Sequence, residues 1–180
     1  MSRSASYEVP VDTGREAIVL SGMDFDGLID RLSSVSRRIA HGIEGLSSAE
    51  LWIAPNGEWS IAEILAHLRA SDDILANRIY CILARDEPQL PAYDERRWAE
   101  VAGYTQAADP RGLLDVYIGR RAELINLLRR ISPAEWQRAG VHEERGPVTI
   151  ADVATYLVKH EEEHCQQIDR LVIFARAGGR

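Results

Sequence analysis

Cysteine is scarce. The 180-residue chain holds two, Cys81 and Cys165, each alone within an apolar helical pattern. That excludes a disulfide framework and a Cys-x-x-Cys zinc or redox motif, and two free thiols fit a reducing cytosol. Long apolar runs are missing as well: none approaches the about 18 residues that a membrane span requires. The opening stretch MSRSASYEVPVDTGREAIVL has no continuous apolar region behind its positive charge, so it reads as no signal peptide. Positive charge is also short, with 21 Lys and Arg against 28 Asp and Glu, a net charge of -7 and no basic stripe. Sequence-independent nucleic-acid binding needs cations to neutralise phosphates, so that class is excluded. The expectation is a cytoplasmic protein whose partners are neither nucleic acid nor membrane.

What is present is an ordinary globular balance, 46% hydrophobic and 27% charged, in a length that suits one domain with a real core. Four segments carry apolar residues at helical spacing, and none shows the alternation of a strand. The first runs through Phe25, Leu28, Ile29, Leu32, Val35, Ile39, Ile43 and Leu46. The second opens on a Ser60–Glu63 capping box, with Trp59 placed to staple onto Ile64, and continues through Ile61, Leu65, Leu68, Leu75, Ile79 and Ile82 to end before Pro88. The third has Asp109 as cap and Pro110 in its first turn, then Leu113, Leu114, Tyr117, Leu124, Leu127, Leu128 and Ile131. A short helical turn follows at Ser132–Trp136. The fourth opens on a Thr149–Asp152 capping box, runs through Val153, Leu157, Ile168, Leu171 and Val172, and fades at Gly178–Gly179. Four amphipathic helices in one domain predict an all-α fold, a four-helix bundle. The stretch from about Asp86 to Asp109 is too long for a tight hairpin and predicts a crossover between the second and third helices. Residues 1–20 read as an irregular arm and 21–180 as the single bundle domain.

The fourth helix contains His160-Glu161-Glu162-Glu163-His164. Histidines four apart lie one above the other, about 6 Å along the axis, and two imidazoles so placed reach one ion. Both fall on or beside the apolar stripe and face the interior. His67 sits at the edge of the second helix's stripe, beside Leu68. Three inward or edge histidines on two helices point to a shared divalent metal, since buried imidazoles need partners. The run also matches H-E-x-x-H of zinc proteases. Those enzymes take a third ligand downstream, where this chain has no further His or Glu, so a protease is set aside.

The ordered set Glu58-Trp59-Ser60, Ile64-Leu65-Ala66-His67-Leu68, Pro91-Ala92-Tyr93-Asp94, Trp98, Arg120-Arg121, Trp136-Gln137-Arg138, His142, Gly146, Thr149, His160-Glu161, His164 and Gln167-Ile168 resembles the DinB/YfiT-like superfamily of metal-dependent enzymes. Gln166 departs from it, standing where many relatives carry Gly. The resemblance implies a four-helix bundle with a long crossover, frequent homodimers, and nickel, zinc or a similar ion on three histidines, here His67, His160 and His164. It also implies a small-molecule substrate and, in some members, a low-molecular-weight thiol as cofactor for S-transfer or isomerisation.

Glu161 and Asp72 each fall near the middle of an apolar stripe. Each is a candidate catalytic group, as general base or as the partner orienting a ligand imidazole, or else a structural pair with Arg120 or Arg121. His142 reads as a solvated or loop-capping residue in a polar loop, and His41 has no functional reading. Cys165 turns away from its neighbour His164 and is not a ligand. The tryptophans Trp52, Trp59, Trp98 and Trp136 are expected to plug the bundle's ends, with Trp98 a candidate pocket wall. Glu95, Arg96 and Arg97 read as a solvated face. The function expected is a thiol-dependent S-transferase or a hydrolase. The alternative is a non-catalytic, metal-stabilised dimeric binding or stress-response protein.

Overall fold

The computed structural model describes residues 24–106 and 109–178; the expected N-terminal arm lies outside them. Four long helices form the bundle: α1 (Phe25–Gly42), α3 (Ile61–Ala84), α5 (Pro110–Leu128) and α7 (Ile150–Arg176). Between them lie α2 (Ser48–Leu51), α4 (Glu95–Val101), a 3-10 turn (Tyr104–Gln106) and α6 (Pro133–Trp136). The helix starts are dictated locally. Ser60 with Glu63 and Thr149 with Asp152 make the expected reciprocal capping boxes, and Asp109 caps α5 with Pro110 in the first turn. Two more capping boxes, Ser47 with Glu50 and Ser132 with Glu135, set the short helices α2 and α6.

The helix directions explain the crossover. Arg31 pairs with Glu162 and, one heptad on, Arg38 pairs with Asp169, so α1 and α7 run parallel. Arg138, beyond the end of α5, donates to the carbonyls of Ile82 and Arg85 at the end of α3, while Arg111 at the start of α5 donates to Leu46 O in the connection before α3. Hence α3 and α5 also run parallel. The chain must therefore travel back along the bundle between them, and the segment that does so carries α4 and the 3-10 turn. Each of α1 and α3 packs on both α5 and α7, which places α1 diagonal to α3 and α5 diagonal to α7. With α5, α7 and α4 all against it, α3 is buried nearly all round.

Three short strands form at the end of the bundle where α1 and α7 begin, against the expectation that there are none. They are β1 (Gln89–Leu90), β2 (Ala139–His142) and β3 (Gly146–Thr149). β1 pairs parallel with β2, and β2 and β3 form a hairpin turned at Gly146, whose φ of 71 favours glycine. Strands of two to four residues are too short for alternation to show in sequence. The sheet also decides between the two readings of His142, solvated or capping. It lies on β2, 5% exposed, and its Nδ1 accepts the Glu144 backbone N–H, so it caps the hairpin and is not solvated. Trp136 plugs this end of the bundle, stacked on Phe25 at 4.5 Å.

The apolar core divides into two clusters. One, at the sheet end, includes Leu32, Ile79, Leu124 and Leu157; the other includes Ile39, Leu65, Tyr117 and Ile168. Among the side chains at their junction are Ser36 from α1, Asp72 from α3, Arg121 from α5 and Glu161 from α7, all buried. Each long helix thus adds at least one polar group to a buried layer at mid-bundle, α3 adding Ser71 beside Asp72.

Candidate metal centre

The site is built on the seam between α3 and α7. His160 and His164 lie four positions apart on α7, so their rings lie on one face with centroids 4.7 Å apart. His67, seven residues into α3, meets both at 5.0 and 4.8 Å. One ring nitrogen from each of the three lies within 4.8 Å of the others, so the structure brings together all three histidines singled out in the sequence.

The nitrogens suit a cation. His67 Nε2 and His160 Nε2 are 2.8 Å apart. Two lone pairs at that distance repel, so a proton or a metal ion must lie between or beside them. About 3.3 Å separates two nitrogen ligands on a tetrahedral zinc ion, so these rings need open only a few tenths of an ångström. His164 Nδ1 lies 3.1 Å from Gln167 Oε1, an acceptor that places the proton on Nδ1 and leaves the Nε2 lone pair free. Burial keeps all three imidazoles neutral: His67 is pushed down to about 4, first by burial and then by His164 and Arg96, His160 is held well below the usual histidine range, and His164 is lowered too. Three neutral nitrogens form a donor set for zinc, nickel and similar divalent ions.

Glu161 and Asp72 are elsewhere. Glu161, 1% exposed, pairs with Arg121, and Asp72, fully buried, lies 2.8 Å from Arg120 Nε and 3.1 Å from Arg121 Nη2. Burial raises the Glu161 carboxyl to about 7 against the opposing pull of Arg121. Among the described residues neither carboxylate hydrogen-bonds to a histidine, and the buried Nδ1 atoms of His67 and His160 have no partner. Of the readings that the sequence left open for these two, the arginine pairing is the one whose contacts are present.

A cavity of about 220 Å³ opens beside His67, lined also by Trp59, Glu63, Arg96, Ala99, Glu100 and Thr105. Trp59 packs against the His67 ring at 5.2 Å and parallel to that of His164 at 6.3 Å. Trp98, a candidate pocket wall in the sequence, does not line it; its Nε1 donates to Asp73 instead. The crossover supplies the outer wall. It is held there by Asp73, which accepts from Trp98 Nε1 at 3.3 Å, Tyr104 Oη at 2.7 Å and Arg69 Nη1 at 2.5 Å. Arg96 is exposed, as the sequence reading has it, and is also a lining residue. Nothing in its neighbourhood along the chain marks it, because the return of the crossover over α3 is what brings it to the site.

Comparison with known proteins places this architecture. The model of the DinB superfamily matches residues 31–168. The chain is 24% identical over 172 residues to "Putative metal-dependent hydrolase YfiT" of Bacillus subtilis, covering 94% of this chain and 95% of that one. It is 21% identical over 146 residues to a protein of the same hydrolase description from Oceanobacillus iheyensis, covering 81% and 83%. The solved YfiT structure, described as having an unusual four-helix bundle topology, superposes with a TM-score of 0.77 over 93% of this chain and 94% of that one. A mycothiol-dependent maleylpyruvate isomerase superposes with a TM-score of 0.65 at 14% identity, over 83% of this chain and 62% of that one.

Proposed function

The chain belongs to the DinB superfamily, and on that footing we propose that it is a metal-dependent enzyme acting on a small molecule, with His67, His160 and His164 as the ligands of one zinc or nickel ion. The observation that carries this reading is the convergence of the three imidazoles beside an open cavity. A divalent ion held there would supply Lewis acidity, acidifying a water or a thiol at neutral pH.

The chain's own residues do the rest. Gln167 fixes the tautomer of His164. Trp59 closes one side of the histidine cluster and keeps water from two of the three rings. Arg121, by tying Glu161 of α7 to Asp72 of α3, fixes the rotation of α7 that aims His160 inward. Glu161 and Asp72 are in this reading positioning residues, because neither borders the cavity.

Hydrolysis, with water attacking the substrate, and S-transfer, with a low-molecular-weight thiol attacking, begin from this same set of ligands. The hydrolase names of the relatives favour the first and the mycothiol-dependent neighbour the second. A purely structural metal, in a dimeric binding or stress-response protein, is the weaker reading, since such a site has no need of a cavity at its ligands.

Metal analysis of the purified protein tests the proposal. One equivalent of a divalent ion is expected, lost in His160→Ala and in His67→Ala while far-ultraviolet circular dichroism stays helical. An ion retained in both variants, or none in the parent under added zinc or nickel, rules the site out. Turnover of ester and electrophile panels by the loaded protein, with and without glutathione, mycothiol or bacillithiol, separates hydrolysis from S-transfer.

A further inference from the structure

The cavity beside His67 has a marked distribution of charge. Two carboxylates line it, and both are engaged: Glu63 accepts from the Ser60 backbone N–H at 2.7 Å and its hydroxyl at 2.8 Å, and Glu100 pairs with Arg97 at 3.1 Å. The cation lining it is Arg96, which has no ion pair among the described residues. Its guanidinium lies over the Trp59 ring, 5.3 Å from the centroid. A cation–π contact of this kind restrains the guanidinium on one side and leaves N–H groups free to pair with a carboxylate.

We propose that this pocket takes a small anionic molecule, carboxylate-bearing by preference, with its charge on Arg96 and its reacting part toward His67. The inference rests on the metal-enzyme reading for the chemistry, but the anion preference itself needs only Arg96. A chain of net charge -7 repels anions at long range, so an anionic ligand is selected by a local cation or not at all. Arg96 is carried by the crossover, so the distance from this charge to the histidines is set by the Asp73 anchor on α3.

Arg145 supplies a control. It too lies over an aromatic ring stacked on a site histidine, 5.4 Å from the Tyr156 centroid with Tyr156 5.7 Å from His160, yet it does not line the cavity. Titration calorimetry with benzoate and with benzamide, on the full chain loaded with zinc and again after chelation, decides the matter. Benzoate is expected to bind about tenfold or more tightly than benzamide, as one charge-assisted hydrogen-bonded pair allows. Arg96→Gln removes the preference in the chelated protein, where no ion can take the carboxylate, and Arg145→Gln, with the same change in net charge, keeps it. Equal binding of the two probes, no binding of benzoate, or a preference that survives Arg96→Gln after chelation overturns the proposal. Metal content of the same samples is read separately: a protein that binds no zinc yet keeps the Arg96-dependent preference refutes the metal site and not the anion site.

Discussion

Arg121 on α5 and Glu161 on α7 meet across the diagonal of the bundle, both out of water, with Asp72 of α3 on the same guanidinium. The layer they form separates the two apolar clusters and lies next to His160 in sequence. Charges taken this far from water stabilise little on balance, yet breaking such a set is costly, because the remaining charges stay buried.

Arg121→Met is therefore expected to cost about 3–5 kcal/mol, by leaving Asp72 and Glu161 without their shared cation. Adding Asp72→Asn and Glu161→Gln to the same protein recovers part of that loss. Urea denaturation of the single and triple variants measures it. A single variant as stable as the parent would show that the pair is not buried as described.

Acid destabilises the metal-free protein. The folded-state imidazoles of His67, His160 and His164 are all lowered by burial, His67 to about 4, whereas an unfolded histidine titrates near 6.5. Above that value both states are neutral and the histidines cost nothing. Below it the unfolded chain takes up protons that the folded one refuses, so stability falls as pH drops from about 6.5 toward 4. Glu161, raised to about 7, opposes this, holding a proton in the folded state between about 4.5 and 7 and so favouring folding at the acid end. Three groups outweigh one. Thermal melts of the chelated protein at pH 7.5 and 5.5 are expected to show a loss, smaller in His67→Phe, and the increment gained from added zinc shrinks with acid, since protons compete for the same nitrogens.

Asp73→Asn loosens the wall of the cavity. It removes the charge on which Trp98, Tyr104, Arg69 and Arg120 converge. A loss of about 1–3 kcal/mol is expected, together with faster proteolysis within residues 91–106 and weaker binding of benzoate. Unchanged cleavage in that segment would mean that the crossover is held by other contacts.

Gly140→Ala tests the small sheet. A Cβ there meets Leu90 Cδ1 at 2.8 Å and the Pro88 carbonyl oxygen at 2.9 Å, and backbone cannot swing aside as a side chain does. An expected cost of about 1–3 kcal/mol comes with faster hydrogen exchange at the Val141 N–H, which donates to that same Pro88 oxygen at 2.9 Å. A parent-like exchange rate at Val141 would contradict the register of β1 on β2.

Much of this was legible in the chain. Apolar spacing marked all four long helices, and three of their starts are fixed by side chains three residues apart or adjacent, such as Ser60 with Glu63, so no tertiary contact is needed to find them. The length of the segment before Asp109 demanded a return along the bundle, and His160 and His164 declared a shared face by spacing alone. What no local pattern carries is which helix lies beside which. Packing of α3 against α7 made His67 the third member of the cluster, diagonal contact of α5 with α7 gave Glu161 an arginine in place of a histidine, and the return of the crossover over α3 set the exposed Arg96 beside the cavity. Helix periodicity is written in neighbours three and four residues apart, whereas these contacts join residues 29 to 97 positions apart, where only the burial of whole apolar faces decides who meets whom.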